Sequence, residues 1–211
     1  MARENRKRRG TGNKTISIIV DGETEVWYLQ MLRDTEKLGQ SLNIKPELPT
    51  KQGLQKQFQT VCEKAKIYNQ VIWLMDFDTV IKESKESPSK QKKFDEVKQY
   101  FHQAQQLGNV TILVNTPCLE FWFLLHDKTT GKYYEKCKPV ESLLKTSNIL
   151  PKYKKTEEYF KNNKLNIYQR LKPYQKQANN NAMQLGDFNI QQPETAKAET
   201  YKIFQYLGIH I

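Results

Sequence analysis

Cysteine is scarce in this sequence, and the long apolar runs of membrane proteins are missing. Among 211 residues there are 3 cysteines, an odd number without paired spacing, so neither a disulfide scaffold nor a cysteine-rich zinc site is expected. No apolar run approaches the ~18 residues of a membrane helix, and no signal-peptide core follows the basic first residues. We therefore expect a protein of the reducing cytoplasm that does not enter a membrane.

Acidic residues are in the minority. The chain has 34 Lys and Arg against 23 Asp and Glu, a formal net charge of +11. Hydrophobic residues make up only 37%, yet 11% of the chain is aromatic, which argues against full disorder. At ~150 residues per domain, this length favours one domain with an appendage.

The positive charge is concentrated in two segments. Residues 1–14 combine six basic side chains with one acid and two glycines, which predicts a disordered basic arm. Residues 128–164 hold ten lysines against four glutamates, with aromatic residues between them. Lysines neutralise phosphates and aromatic rings stack on bases, so this composition suits nucleic acid. The alternative is a solvated, lysine-rich surface.

Four short apolar runs predict β-strands at residues 15–20, 43–48, 71–75 and 110–114. Runs of this kind are typical of parallel strands buried on both faces. Pro46, in the second run, predicts an edge strand.

Apolar residues at helical spacing predict helices between the strands, at 25–38, 54–67 and 94–107. Residues 82–92 are predicted to be a polar loop. The alternation favours an α/β core over residues 15–127, a doubly wound, mostly parallel four-stranded sheet with helices on both faces. Residues 128–211 are predicted to be a basic helical extension packed on that core.

Acidic residues follow three of the four predicted strands. Asp21 and Glu25 follow the first strand, Asp76 and Asp78 the third, and Glu120 begins a short predicted helix after the fourth. Open α/β sheets bind ligands beyond the carboxyl ends of their strands, where the strand order switches. If the first and third strands are neighbours, these acids meet at one point.

Carboxylates this close repel one another unless a cation neutralises them. Mg²⁺ and Mn²⁺ prefer carboxylate oxygens and can activate water for phosphodiester cleavage. We therefore predict a divalent-metal site of Asp21, Glu25, Asp76 and Asp78. Taken alone, Glu25 is more often a helix cap, and Asp76 or Asp78 is more often a turn residue. Cys118 has no histidine nearby to activate it, so a small packed thiol is predicted there.

Three strings of the sequence together resemble the RloB-like family: IIVDGETE with a tyrosine three positions later, LMDFD, and NTPCLEFWFLLH. That family is similar to Toprim domains and to the nuclease domain of the overcoming-lysogenization-defect proteins. The resemblance extends from about Thr15 to residue 211 and includes Tyr153-Lys154-Lys155. It implies a Toprim-like fold and metal-dependent phosphoryl transfer on nucleic acids.

The resemblance also implies roles for single residues. Asp21 takes the position of the family's first glutamate, and Glu120 matches the acid of its asparagine–proline element; both are implied to be catalytic. Lys155, also implied to be catalytic, matches a lysine that would balance phosphate charge, with Lys154 as the fallback. Mg²⁺ or Mn²⁺ would bind the acids after the first and third strands. Thr116 interrupts the family's usual asparagine–proline pair.

Nucleic acid is the implied partner. We predict that Arg6, Arg8 and Arg9 in the basic arm contact it, together with Lys152 and Lys154 in the second basic segment. The implied function is a metal-dependent endonuclease acting on DNA or RNA, tRNA included, as an effector of phage defence by abortive infection. An ATPase of the AAA or ABC type is an implied second partner. The alternatives are a nucleic-acid-binding protein without catalysis and an interaction subunit of that ATPase.

Overall fold

A computed structural model of the chain describes residues 15–38, 43–47, 53–86 and 89–211. The predicted arm, with Arg6, Arg8 and Arg9, lies outside the described residues. In the described ranges, no helix has both the length and the apolar character needed to cross a membrane.

The sheet has five strands in the order β2-β1-β3-β4-β5. Their bounds are β1 Thr15–Ile19, β2 Asn43–Glu47, β3 Gln70–Asp76, β4 Val110–Thr116 and β5 Lys197–Ala198. The first four strands are parallel, and β5 is antiparallel to β4. The four predicted strands are confirmed, and β2 lies at the edge, as Pro46 predicted. β5 adds a fifth strand that was not predicted, because two residues carry no recognisable pattern.

The strand order reverses between β1 and β3. The chain leaves β1 for β2 on one side and returns to β3 on the other, and such a reversal is where open α/β sheets bind ligands. The register places Ile19 opposite Trp73, and Asp76 opposite Asn115. The residues that follow β1, β3 and β4 therefore lie at one edge of the sheet.

The helices of the described residues are α1 Glu23–Thr35, α2 Leu54–Ala65, α3 Phe77–Glu86, α4 Lys90–Leu107, α5 Leu119–Leu124, α6 Cys137–Leu144, α7 Glu157–Phe160, α8 Ile167–Leu171, α9 Gln175–Gln184 and α10 Ile203–Leu207. The prediction of a polar loop at 82–92 is wrong, since α3 runs to Glu86 and α4 begins at Lys90. The physical reason is that α3 buries Phe77, Val80, Ile81 and Ser84, which lie at helical spacing. The polar residues up to Glu86 belong to the exposed side of this helix.

Helices pack on both faces of the sheet, as predicted. Alternate strand residues point to opposite faces, so Ile18 and Leu74 join one apolar cluster while Ile19 and Trp73 join the other. The first cluster includes α1, α5 and residues after position 128, such as Leu150, and the second includes α2, α3 and α4. The division of the chain at residue 127 stays a prediction.

Polar contacts attach the C-terminal segment to β4. Thr116 Oγ1 donates to the carbonyl of Thr195 and accepts from the backbone N–H of Lys197, both at 2.6 Å. Glu199, which is buried, accepts from the backbone N–H of Val114 at 2.9 Å. Thr116 thus forms the junction between β4 and β5.

Candidate functional site

The five predicted acids lie together at the carboxyl edge of the sheet. Asp21 follows β1, Glu25 is in the first turn of α1, and Asp76 ends β3. Asp78 and Glu120 are each the second residue of a helix, α3 and α5 respectively. Their proximity is visible in Asp76, whose pKa is raised by all four of the others as well as by burial.

Burial is the main cause of the unusual proton affinities in this cluster. Asp76 is 8% exposed, and desolvation, followed by the charges of Glu25 and Asp21, raises its pKa well above the ordinary value. Burial and the charge of Glu120 raise the pKa of Glu25 to about 7. Burial and the charge of Asp21 raise the pKa of Asp78 to about 6. The negative charges of these acids are therefore only partly compensated by neighbouring positive charge.

Two local features fit a divalent cation. Asp76 Oδ1 is buried and has no hydrogen-bond partner among the described residues. A Cβ at Gly22 would lie 2.8 Å from Glu25 Oε2, so a larger residue would displace this carboxylate. A buried, uncompensated carboxylate is unfavourable, and a hard cation with oxygen ligands compensates it. The donor set therefore suits the predicted Mg²⁺ or Mn²⁺.

The spacing of the acids is wider than that of a direct, all-protein metal cage. In the described part of the chain, the ligand atoms of Cys118, Glu120 and Cys137 form the one group of three within 4.8 Å of one another. No three of the other four acids therefore bring their oxygens within that distance of one another. Mg²⁺ usually keeps several waters and binds through one or two carboxylates, so a hydrated ion suits this spacing.

Asp21 is fixed by donors from two other elements. Gln57 Nε2 of α2 donates to Asp21 Oδ1 at 2.6 Å, and Thr79 Oγ1 of α3 donates to Oδ2. Gln57 is itself oriented by the buried Trp73, whose Nε1 donates to Gln57 Oε1 at 2.9 Å. The N-cap of α1 is Gly22, with no side-chain cap, so Asp21 is not a helix cap. Sequence reasoning missed Gln57 and Thr79; the one signal was a glutamine on the apolar face of α2.

Glu120 is fully buried and already has partners. Tyr153 Oη donates to its Oε1 at 2.8 Å, and Lys155 Nζ lies 2.9 Å from the same oxygen. Lys155 also pairs with Glu141 of α6 at 3.1 Å. Burial lowers the pKa of Lys155, but Glu120 and Glu141 outweigh it and raise the pKa above its usual value. Lys155 is therefore charged and balances Glu120 in this arrangement.

Comparison with known protein families shows the family to which the chain belongs. The family model of the RloB-like proteins matches residues 16–204. The chain belongs to the RloB-like protein family. No curated protein and no solved structure matches it.

Lys152 and Lys154 of this RloB-like protein lie outside the acid cluster, on the surface. They line a groove of about 320 Å³ together with Tyr159 and Arg170, and the Arg170 guanidinium lies 4.5 Å from the centre of the Tyr159 ring. Both lysines are exposed, whereas Tyr153 between them is buried and contacts Glu120.

A disulfide joins Cys118 to Cys137, with the Cα atoms 5.7 Å apart. The prediction of a packed thiol at Cys118 is therefore wrong, and the absence of paired cysteine spacing gave no indication of this single bond. The bond connects the N-cap of α5 to the first residue of α6, and these meet because the chain between them folds back to the site. A sequence separation of 19 gives no sign of this. Cys62 is free.

Proposed function

We propose that this RloB-like protein is a nuclease that depends on Mg²⁺ or Mn²⁺ and hydrolyses phosphodiester bonds in DNA or RNA, tRNA included. The observation that carries the proposal is the convergence of Asp21, Glu25, Asp76 and Asp78 where the strand order reverses. Raised pKa values and an unpartnered carboxylate oxygen support a cation at that point. A role as an effector of phage defence rests on the family resemblance alone.

The proposed roles of the residues follow from their surroundings. Asp76, Asp78 and Glu25 hold the cation, which when bound supplies polarisation of the phosphate and an activated water. Asp21, kept in one orientation by its two hydrogen-bond donors, is the fourth proposed ligand. Lys155 adds a fixed positive charge at the border of the cluster. Glu25, with a pKa of about 7 in the absence of metal, would release its proton when the cation binds.

Cleavage of plasmid, single-stranded DNA and total tRNA in Mg²⁺, Mn²⁺ or chelator tests this proposal. We expect cleavage of at least one substrate with metal and none with chelator. Asp76→Asn should abolish the activity, whereas Asp34→Asn, which changes an exposed acid on α1, should keep it. Absence of cleavage by the wild type in both metals would contradict the catalytic role.

One observation favours a second candidate, a nucleic-acid-binding protein or ATPase-associated subunit without catalysis. Glu120 is satisfied by Tyr153 and Lys155, and both oxygens of Asp21 accept hydrogen bonds, so much of the site is occupied by its own contacts. Strong nucleic-acid binding without metal-dependent cleavage would favour the first form of this alternative. Stable co-purification with an ATPase would favour the second form.

A further inference from the structure

We propose that a cleft between α3 and the start of α6 binds the phosphate backbone of a nucleic-acid strand. This inference rests on the proposed function, because it names the surface along which the substrate would reach the acids. The cleft has a volume of about 630 Å³, and its lining includes Asp78 and Thr79. Thr79 is also the residue whose hydroxyl donates to Asp21. A phosphate in the cleft would thus lie beside the acid cluster.

The charged lining of this cleft has four lysines against three acids: Lys82 and Lys85 of α3, and Lys136 and Lys138 at the start of α6, against Asp78, Glu86 and Glu135. Lys85 pairs with Glu135. In the described portion of the chain, Lys82, Lys136 and Lys138 make no ion pair, and all three are exposed. Unpaired ammonium groups around one recess attract anions, and lysine binds phosphate as a point charge.

The rest of the lining favours the backbone over the bases as the ligand. The described residues that line the cleft include no aromatic ring on which a base could stack. Its acids besides Glu135 are Asp78, a proposed cation ligand, and Glu86. Lysine contacts to phosphates carry no sequence information. The cleft is therefore suited to hold one strand of any sequence next to the proposed metal site.

Fluorescence anisotropy with a labelled single-stranded oligonucleotide tests this site in the full chain. Ca²⁺, which also takes oxygen ligands, replaces Mg²⁺ so that binding is measured without dependence on cleavage. The double variant Lys82→Gln/Lys136→Gln should bind more weakly and flatten the slope of log affinity against log salt by about 0.7 for each lost contact. Lys66→Gln, at the exposed end of α2 on the opposite edge of the sheet, should leave the slope unchanged.

The outcomes separate this site from the proposed function. A double variant with the wild-type slope and affinity would overturn the site even if Asp76→Asn abolishes cleavage. Weaker binding by the double variant supports the site even if the wild type cuts nothing, which would refute only the nuclease. A wild type that binds no oligonucleotide would overturn both.

The disulfide carries a second, independent inference. We infer that the Cys118–Cys137 bond is a redox-dependent link, called the latch below, that holds the α6 side of this cleft against α5 when it is oxidised. After α5, residues 125–136 have neither helix nor strand, and the bond ties the end of this segment, which carries Lys136, to the start of α5. The sequence predicts a reducing compartment, where disulfides are usually transient, catalytic or redox-sensing.

The redox state changes contacts at the acids. The backbone of Cys137 is close enough to Asp78 to lower the pKa of that carboxyl, and Cys137 Sγ lies 3.0 Å from Glu120 Oε2. A disulfide sulfur has no hydrogen to donate, whereas a thiol at this place donates to Glu120. Reduction by a dithiol transfers two electrons and two protons to the bond, giving two cysteine thiols and the cyclic disulfide of the reductant. The start of α6 is then no longer covalently held.

Thiol counting, thermal unfolding and oligonucleotide binding, each with and without dithiothreitol, test the latch. The air-oxidised, denatured chain should show one thiol, Cys62, and the reduced chain three. Reduction should lower the Tm and weaken binding, and oxidised glutathione should restore both. Cys118→Ser should behave as the reduced protein in both conditions, and Cys62→Ser is the matched control that keeps the response.

Two results would overturn the latch. Three thiols before reduction would mean that the bond does not form. A fall in Tm without a change in binding would show a bond that only stabilises the fold.

Discussion

Replacing Glu25 by glutamine should stabilise this protein above neutral pH. Glu25 is 2% exposed, and burial, followed by the charge of Glu120, raises its pKa from 4.5 to about 7. The folded state therefore binds this proton more tightly than the unfolded state does. The free energy of unfolding therefore falls as the pH rises from about 4.5 to about 7. In this range the carboxyl is already ionised in the unfolded state but still largely protonated in the folded state.

The size of the effect follows from the difference in proton affinity. A tenfold difference corresponds to about 1.4 kcal/mol, so the ionised carboxylate costs about 3 kcal/mol once the pH exceeds the folded pKa. Glutamine has nearly the same shape and no charge. At about pH 8 the free energy of unfolding of Glu25→Gln should exceed that of the wild type by up to about 3 kcal/mol. At about pH 4 the two should agree within about 0.5 kcal/mol, because the wild-type acid is then protonated.

Urea unfolding in chelator across this pH range is the assay. Glu23→Gln changes an exposed acid in the same turn of α1 and should alter stability by less than about 0.5 kcal/mol. Added Mg²⁺ should narrow the gap at alkaline pH, because it neutralises the wild-type cluster. A Glu25→Gln variant no more stable than the wild type at alkaline pH would refute the reasoning.

The remaining predictions concern Asp21, Thr116 and the first residues of the chain. Asp21→Asn should abolish cleavage. Asp21→Glu should reduce the expected preference of the wild type for Mn²⁺ over Mg²⁺, because aspartate is one methylene shorter than the glutamate of the family resemblance. Cleavage assays in both metals check this, and an active Asp21→Asn would contradict a ligand role for Asp21. Thr116→Val should lower the free energy of unfolding by about 1–3 kcal/mol, because two hydrogen bonds are lost. Urea unfolding measures this, with Thr146→Val, at an exposed threonine, as the control. Equal stability of the two variants would disprove the stabilising role of Thr116 between β4 and β5. Deleting residues 1–13 should flatten the salt slope of duplex binding by about 0.9 for each lost phosphate contact; an unchanged slope would mean that the arm does not touch DNA.

Local patterns were sufficient to predict the four parallel strands of the sheet. β1, β3 and β4 are unbroken apolar runs, and the helices between them show apolar residues at helical spacing. The meeting of the acids was predictable on one condition, that β1 and β3 are neighbours, because the carboxyl ends of parallel strands share an edge. The observed strand order meets this condition.

Contacts between distant residues could not be predicted in the same way. Gln57 reaches Asp21 only because α2 packs on the sheet beside β3, and a glutamine has no distinctive pattern in sequence. The disulfide depends on how residues 125–136 fold back, which no spacing rule determines. The helical conformation of residues 82–86 depends on a few buried positions of α3 among many polar ones. The polar composition of this segment therefore led to the wrong prediction of a loop.

Calorimetric titration of Mn²⁺ near pH 7 tests the central claim most directly, that the acids after β1 and β3 bind a divalent cation. The expected result is saturable binding by the wild type with release of protons, because Glu25 and Asp78, with pKa values of about 7 and about 6, are partly protonated there. Asp76→Asn should lose this binding, and Asp34→Asn should retain it. Equal affinity in Asp76→Asn and the wild type, or no binding by the wild type, would contradict the claim.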